Sequence, residues 1–174
     1  MPDRSIRPAA DEYAPDFDRY IRLVPAGDIL QILAEQLGRA EALLHPLSDV
    51  ESLAVHPPYT WTLKQVLGHI TDCERVFGYR ALRLARNDAT PLPGFDENRF
   101  MQFADFNAWP MSELLEEFTC VRRAHLLLLR HLSPQAWQWR GTVIGHPATP
   151  RAFAYVMVGH AEHHLAIIKK RLAG

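Results

Sequence analysis

The chain predicts an all-α fold, an antiparallel-type four-helix bundle. Three observations carry that prediction. Four stretches of about twenty residues repeat apolar side chains at helical spacing. Each of them opens on residues that suit a helix N-terminus. No internal repeat, low-complexity run or linker divides the 174 residues, so residues 1–174 are expected to form one domain around one core.

Residues 1–24 are rich in charge and proline and carry Tyr13, Phe17 and Tyr20. They read as an irregular arm packing across the bundle. The first helix opens on Asp28-x-x-Gln31, a capping-box pattern, and its seam runs Leu30, Leu33, Leu37, Ala40, Leu44 and Leu47. Consecutive prolines at Pro57 and Pro58 deny helix to the next connection. Thr62-x-x-Gln65 is a second capping box, with Trp61 placed as a hydrophobic staple. The second helix then runs to about Arg86, with Leu63, Val66, Ile70, Cys73, Phe77 and Leu84 on its seam.

Residues 87–110 form a long crossover, a length that is uncommon inside compact domains and often functional. Its Phe95, Phe100, Phe103, Phe106 and Trp109 cannot all face water, so the segment is expected to fold over the bundle. Such a length also lets the third helix run parallel to the second. That third helix is predicted from about Ser112 to Leu132, its opening Pro110-Met-Ser-Glu supplying a cap and a carboxylate. Its seam reads Leu114, Phe118, Val121, His125, Leu128 and Leu132. Another loop carries Trp137 and Trp139, and Thr149-Pro150 starts the fourth helix with a cap followed by proline in the first turn.

Composition excludes several function classes. A net charge of −1 gives no basic surface for nucleic acid. No apolar run reaches membrane-spanning length, and Met1-Pro-Asp-Arg lacks the apolar core of a signal peptide, so a cytoplasmic protein is expected. Cys73 and Cys120 read as reduced core residues of two helices. The compositional oddity is nine histidines, three of them in His160-Ala-Glu-His163-His164.

Phe153, Met157, His160, His164 and Ile167 alternate steps of four and three along the fourth helix. Two imidazoles therefore occupy seam positions one turn apart, about 40° from one another around the axis. Burying polar rings without partners costs on the order of a few kcal/mol, and a metal ion would satisfy them. His69, about eight residues into the second helix, reaches the same depth if the second and fourth helices are antiparallel. His125 also lies on a seam, but with the third helix parallel to the second it falls about two turns away from His69, so it is left out of the metal shell. His163 sits about 100° round from His164, at the edge of the site. Asp72 either accepts the other N–H of His69, fixing its tautomer, or is a solvated helix residue. Cys73 reads as a core residue in preference to a ligand, Glu74 and Glu162 as surface charges, and Arg80 as an exposed residue in preference to a guide for an anionic substrate.

Taken together, Trp61-Thr-Leu-Lys-Gln-Val-Leu-Gly-His69-Ile-Thr-Asp-Cys-Glu-Arg, Pro91-Leu-Pro-Gly-Phe-Asp-Glu-Asn and Gly159-His160-x-x-His163-His164 resemble the DinB-like superfamily. The resemblance runs from about Tyr20 to Leu172. It implies down-up-up-down connectivity with the long crossover between the second and third helices. It also implies three histidine ligands, matched by motif to His69, His160 and His164, for a divalent ion that is usually zinc or nickel and sometimes manganese or iron. The chemistry varies among members, which include bacillithiol, mycothiol or glutathione transferases, isomerases and metal-dependent hydrolases. A histidine at position 125 is not part of that pattern.

The leading expectation is thus a metal-dependent enzyme acting on a small molecule, an S-transferase with a low-molecular-weight thiol as co-substrate in preference to a hydrolase. Three neutral ligands leave the ion its full charge and open positions, which lowers the pKa of bound water or thiol. Asp72 and His163 are the residues placed to move protons. The alternative is a non-catalytic, stress-associated metal- or ligand-binding bundle. A third reading is an interaction protein with hydrogen-bonded seam histidines, and a homodimer through exposed helix faces is compatible with all three.

Overall fold

The structure is a computed structural model and describes residues 2–173; Met1 of the arm and Gly174 lie outside the described residues. Four long helices build the frame: α1 (Ile29–Leu44), α2 (Leu63–Ala85), α3 (Met111–Arg130) and α4 (Pro150–Leu172). α2 packs on α3 and α4, and α1 packs on the same two, which puts α1 and α2 at opposite corners. Partners along α2 and α3 ascend together, Arg75 with Glu117 and Gly78 with His125. Along α2 and α4 they run in opposite senses, His69 facing His164 while Phe77 stacks on Phe153. Antiparallel packing of α2 and α4 is what brings the histidines level.

The helix starts differ in how they are capped. At α2 both halves of the capping box form, Thr62 accepting from the Gln65 N–H and Gln65 from the Thr62 N–H. Thr149 caps α4 through the Ala152 N–H. Asp28 caps α1, but the Gln31 side chain turns instead to Glu35 at 2.8 Å, so that box is half made. α3 has no cap of its own. Its Met111 N–H donates to Asp49, a residue of the short helix Asp49–Ser52, at 2.8 Å. The same Asp49 oxygen receives the buried Lys64 ammonium at 2.7 Å.

Burial follows the predicted seams on α1 and α2. On α3 it does not. Val121, His125 and Leu128 are only half-buried, while Thr119 and Arg122 are buried. The buried face is rotated because Arg122 finds a bidentate carboxylate in Glu74, with Nε–Oε1 at 2.6 Å and Nη2–Oε2 at 3.0 Å. Its remaining nitrogen donates to Gln36 at 2.9 Å, and Gln36 in turn donates to the Val158 carbonyl. One polar network thereby touches all four helices. Glu74, expected at the surface, is buried within it. Glu162 is half-exposed and receives Gln36 and Arg39. Cys73 is buried as expected, whereas Cys120 is exposed.

α4 is the central helix: every residue from Ala152 to Ala161 is buried. Its outer face is covered by the N-terminal arm, whose short helix Asp18–Ile21 packs directly on it. Close approach is possible because Gly159 has no side chain; a Cβ there would stand 2.0 Å from the Tyr20 carbonyl oxygen. The arm therefore lies across α4 immediately beside His160.

The crossover is not a plain loop. It holds the short helix Glu97–Phe103, capped by Asp96, and a 3-10 turn, Phe106–Ala108. Phe106 is buried against Gly68 and Phe95 is half-buried, so the segment does fold over the bundle, while Phe100, Phe103 and Trp109 remain exposed. The segment after α3 forms a hairpin, β1 (Gly141–Val143) and β2 (His146–Ala148), where a loop was expected. Its two turn residues, Ile144 and Gly145, have φ of 53° and 76°. Leu92 of the crossover pairs with the hairpin, donating to the Thr142 carbonyl and accepting from the Ile144 N–H at 2.9 Å each. The hairpin tip is thereby fixed beside the crossover. Among the described residues no helix is long and apolar enough to cross a membrane.

Candidate functional site

α2 and α4 bring His69, His160 and His164 together, one ligand-capable ring nitrogen of each lying within 4.8 Å of the other two. The His69 and His160 Nε2 atoms are 3.2 Å apart. Two imidazole nitrogens bound to one ion at ~2.0–2.1 Å are roughly 3.0–3.4 Å apart, so this spacing suits shared coordination. Aromatic side chains brace the rings. Trp61 lies 5.1 Å from His69 between ring centres, and Tyr20 and Phe77 lie 5.2 and 5.4 Å from His160. Trp61 is itself anchored from α4, since Arg171 donates to its carbonyl at 2.9 Å.

Burial keeps the three rings neutral. It pushes His69 down to about 4, with the Glu97 charge opposing, and His164 down to about 3, helped by His69, His163 and Arg19. His160 lies well below the ordinary imidazole range, from burial first and then from its histidine neighbours. All three thus present lone pairs at neutral pH. The Cys73 sulfur stands 3.8 Å from both ring nitrogens of His69, and burial pushes its thiol up to about 12.

These shifts give a pH dependence for metal-free protein. An unfolded histidine takes up its proton near 6.5, whereas the folded rings resist until about 4 and about 3. Between those values the unfolded chain binds more protons, so stability falls as pH falls. Urea unfolding of chelator-treated protein should lose on the order of a few kcal/mol between pH 7 and pH 4.5. A flat profile over that range would contradict neutral buried rings.

The histidines floor a cavity of about 280 Å³ whose walls include Phe17, Trp61, Phe77 and Phe95. Arg19, Glu97 and Asn98 reach it from exposed positions, and Ile144 reaches it from the hairpin tip. A larger hollow of about 800 Å³ between α1 and α3 shares no residue with this cavity and contains none of the three histidines. Size alone is a poor guide to the chemistry here.

The other sequence candidates stand elsewhere. Asp72 is paired with Arg75 at 3.5 Å and raised by burial; its side chain makes no bond to His69 and does not line the cavity. His163 is exposed, its ring 5.0 Å from that of His164, and is likewise off the cavity wall. His125 stands over Gly78 with Nδ1 3.5 Å from Glu74, in the polar network and away from the three histidines. Arg80, read from sequence as exposed, is buried and forms part of the cavity wall.

The sequence profile of the DinB superfamily matches residues 32–168. The chain belongs to the DinB superfamily. Among solved structures it is similar to YfiT from Bacillus subtilis, described as a probable metal-dependent hydrolase with an unusual four-helix bundle topology. The TM-score is 0.71 at 19% identity, covering 95% of this chain and 91% of that one, a likeness of fold. No curated protein matches the sequence.

Within this DinB-superfamily chain, the matched span starts inside α1, so the arm that lays Tyr20 over His160 precedes it. Tyr20 comes from the arm and Glu97 and Ile144 from two separate connections, and the periodicity of the four long helices is blind to all of them. Gly159, directly before His160, was the available signal: a glycine inside a helix often marks the close approach of another backbone.

Proposed function

We propose that this DinB-superfamily protein is a metal-dependent hydrolase of a small molecule, with His69, His160 and His164 holding a divalent ion. The observation that carries this reading is the convergence of three neutral imidazole nitrogens on the floor of a cavity. Imidazole donors suit zinc and nickel, with iron next; manganese prefers oxygen ligands. Such an ion, when bound, supplies Lewis acidity that activates water or a thiol.

Size favours water as the nucleophile. About 280 Å³ lies just under the usual range for ligand sites, ~300–1,000 Å³. It accommodates one small substrate and a water, a water's share being about 30 Å³. A peptide-sized thiol beside a second substrate would extend out of it into solvent. The description of YfiT as a probable metal-dependent hydrolase points the same way.

The chain's own residues then have distinct tasks. Glu97 is the one carboxylate among the residues lining the cavity, and its charge reaches His69. It takes the proton of the attacking water as general base. Phe17, Phe77 and Trp61 exclude bulk water around the reacting group, and Tyr20 and Phe77 keep His160 from turning away.

The test couples metal analysis of protein purified without chelator or nickel resin to two screens, one of esters and amides, one of thiol plus electrophile. One equivalent of ion and hydrolytic turnover are expected. Glu97→Gln should lower kcat by about 10²- to 10⁴-fold with metal content unchanged. Absence of a stoichiometric ion would remove the metal reading, and conjugation without hydrolysis would replace the hydrolase with a transferase.

A further inference from the structure

We infer that Arg80 is an anion subsite of the cavity, so that the molecule reacting at the three histidines carries a carboxylate at its other end. The inference rests on the proposed reading only for the reacting end; the subsite itself stands on Arg80 and its surroundings.

Arg80 is 2% exposed and lines the same cavity as the histidines. Its Nη2 donates to the Pro93 carbonyl at 2.9 Å, while its Nη1 is buried with no hydrogen-bond partner. No carboxylate lies within ion-pair distance of it among the described residues, in contrast to the buried Arg122, which has Glu74, and the half-buried Arg151, which has Glu12. Arg171 also lacks a carboxylate and has a buried Nη1 without a partner, but its other nitrogens bond His56, Ala54 and Trp61, and it does not line the cavity. What faces Arg80 is aromatic: the ring centres of Phe95 and Phe153 lie 5.5 and 5.8 Å from its guanidinium carbon. A buried charge without a counter-ion is costly, and a ligand carboxylate would supply two acceptors to a planar fork of donors.

Helix geometry places this charge in register with the histidines. Positions 69 and 80 are eleven residues apart, which is about 16 Å of axis and only about 20° of rotation. Helical side chains lean toward the N-terminus, so the guanidinium points back toward His69. Cys73 and Phe77 lie between them and also line the cavity. The ligand is therefore expected to have an apolar middle, with on the order of 10 Å between its carboxylate and its reacting end.

Octanoate and octanamide test this, because they differ in charge and share a chain of suitable length. Calorimetric titration of chelator-treated protein at pH 7.5 removes any contribution from a bound metal. Wild type should prefer octanoate by more than about tenfold, the strength of a charge-assisted pair. Arg80→Met and Arg80→Gln should erase the preference, Arg80→Lys should keep part of it, and Arg19→Gln should leave it. Equal affinity of wild type for the two probes, or an undiminished preference in Arg80→Met, would overturn the inference. If the Arg80 variants fail to fold, Arg19→Gln decides the point, because Arg19 is the other arginine lining the cavity: a preference that survives that change supports Arg80, and one that disappears overturns the inference. Loss of the preference with one ion still bound removes the subsite alone; a retained preference without any ion removes the metal reading alone.

Discussion

His160→Ala should lose stoichiometric metal and, with it, turnover. His160 lies 3.2 Å from His69 nitrogen to nitrogen and one turn before His164 on α4. Its removal leaves two donors on different helices. Loss of even a supporting residue around a metal typically costs 10- to 100-fold in affinity, so loss of a ligand is expected to exceed about 100-fold. His163→Ala is the matched control, since His163 is exposed and off the cavity wall. Thermal unfolding gives a second readout. An ion present at about a thousand times its Kd adds about 4 kcal/mol of stability, which wild type and His163→Ala should show and His160→Ala should not. Equal metal binding by His160→Ala would rule out the three-histidine centre.

Arg122→Met should destabilise the bundle strongly. The substitution leaves Glu74 without its bidentate partner in a buried position. Burial pushes the Glu74 carboxyl up, but the charge and hydrogen bonds of Arg122, with His125 close by, hold it below the ordinary glutamate range. Breaking a buried pair from one side costs about 3–5 kcal/mol. For a chain of this size that is roughly 6–20 °C in Tm. Replacing both partners, Arg122→Met with Glu74→Leu, should recover much of the loss, because neither charge then remains buried and unpaired. Urea unfolding of the three proteins measures both effects. A single-variant loss under about 1 kcal/mol would show that water reaches Glu74.

The same pair explains where the sequence could be read and where it could not. α1 and α2 were legible because their buried positions hold leucine, isoleucine and valine, and apolar periodicity reports burial directly. α3 was misread by a rotation because Arg122 and Thr119 occupy buried positions, and charge is ordinarily a surface signal. Glu74 and Arg80 were misplaced for the same reason. The partners that retain Arg122 and Glu74 in the interior come from other helices, tens of residues away. The hairpin was hidden because one of its two left-handed turn residues is Ile144, where Asn or Asp would have advertised the turn. The histidine cluster was legible because depth along two helices can be counted in residues. The cavity above it was not, since its walls come from the arm, the crossover and the hairpin tip.

Ile144 sets two requirements against one another. A β-branched residue at φ 53° pays about 1–2 kcal/mol relative to a backbone free of Cβ, so the hairpin alone would favour glycine. Glycine, however, would remove the side chain that Ile144 contributes to the cavity wall. Folding and molecular recognition therefore rank the residues at position 144 in opposite orders. Ile144→Gly would thus relieve the hairpin at the expense of the cavity's shape, while the histidine floor stays the same.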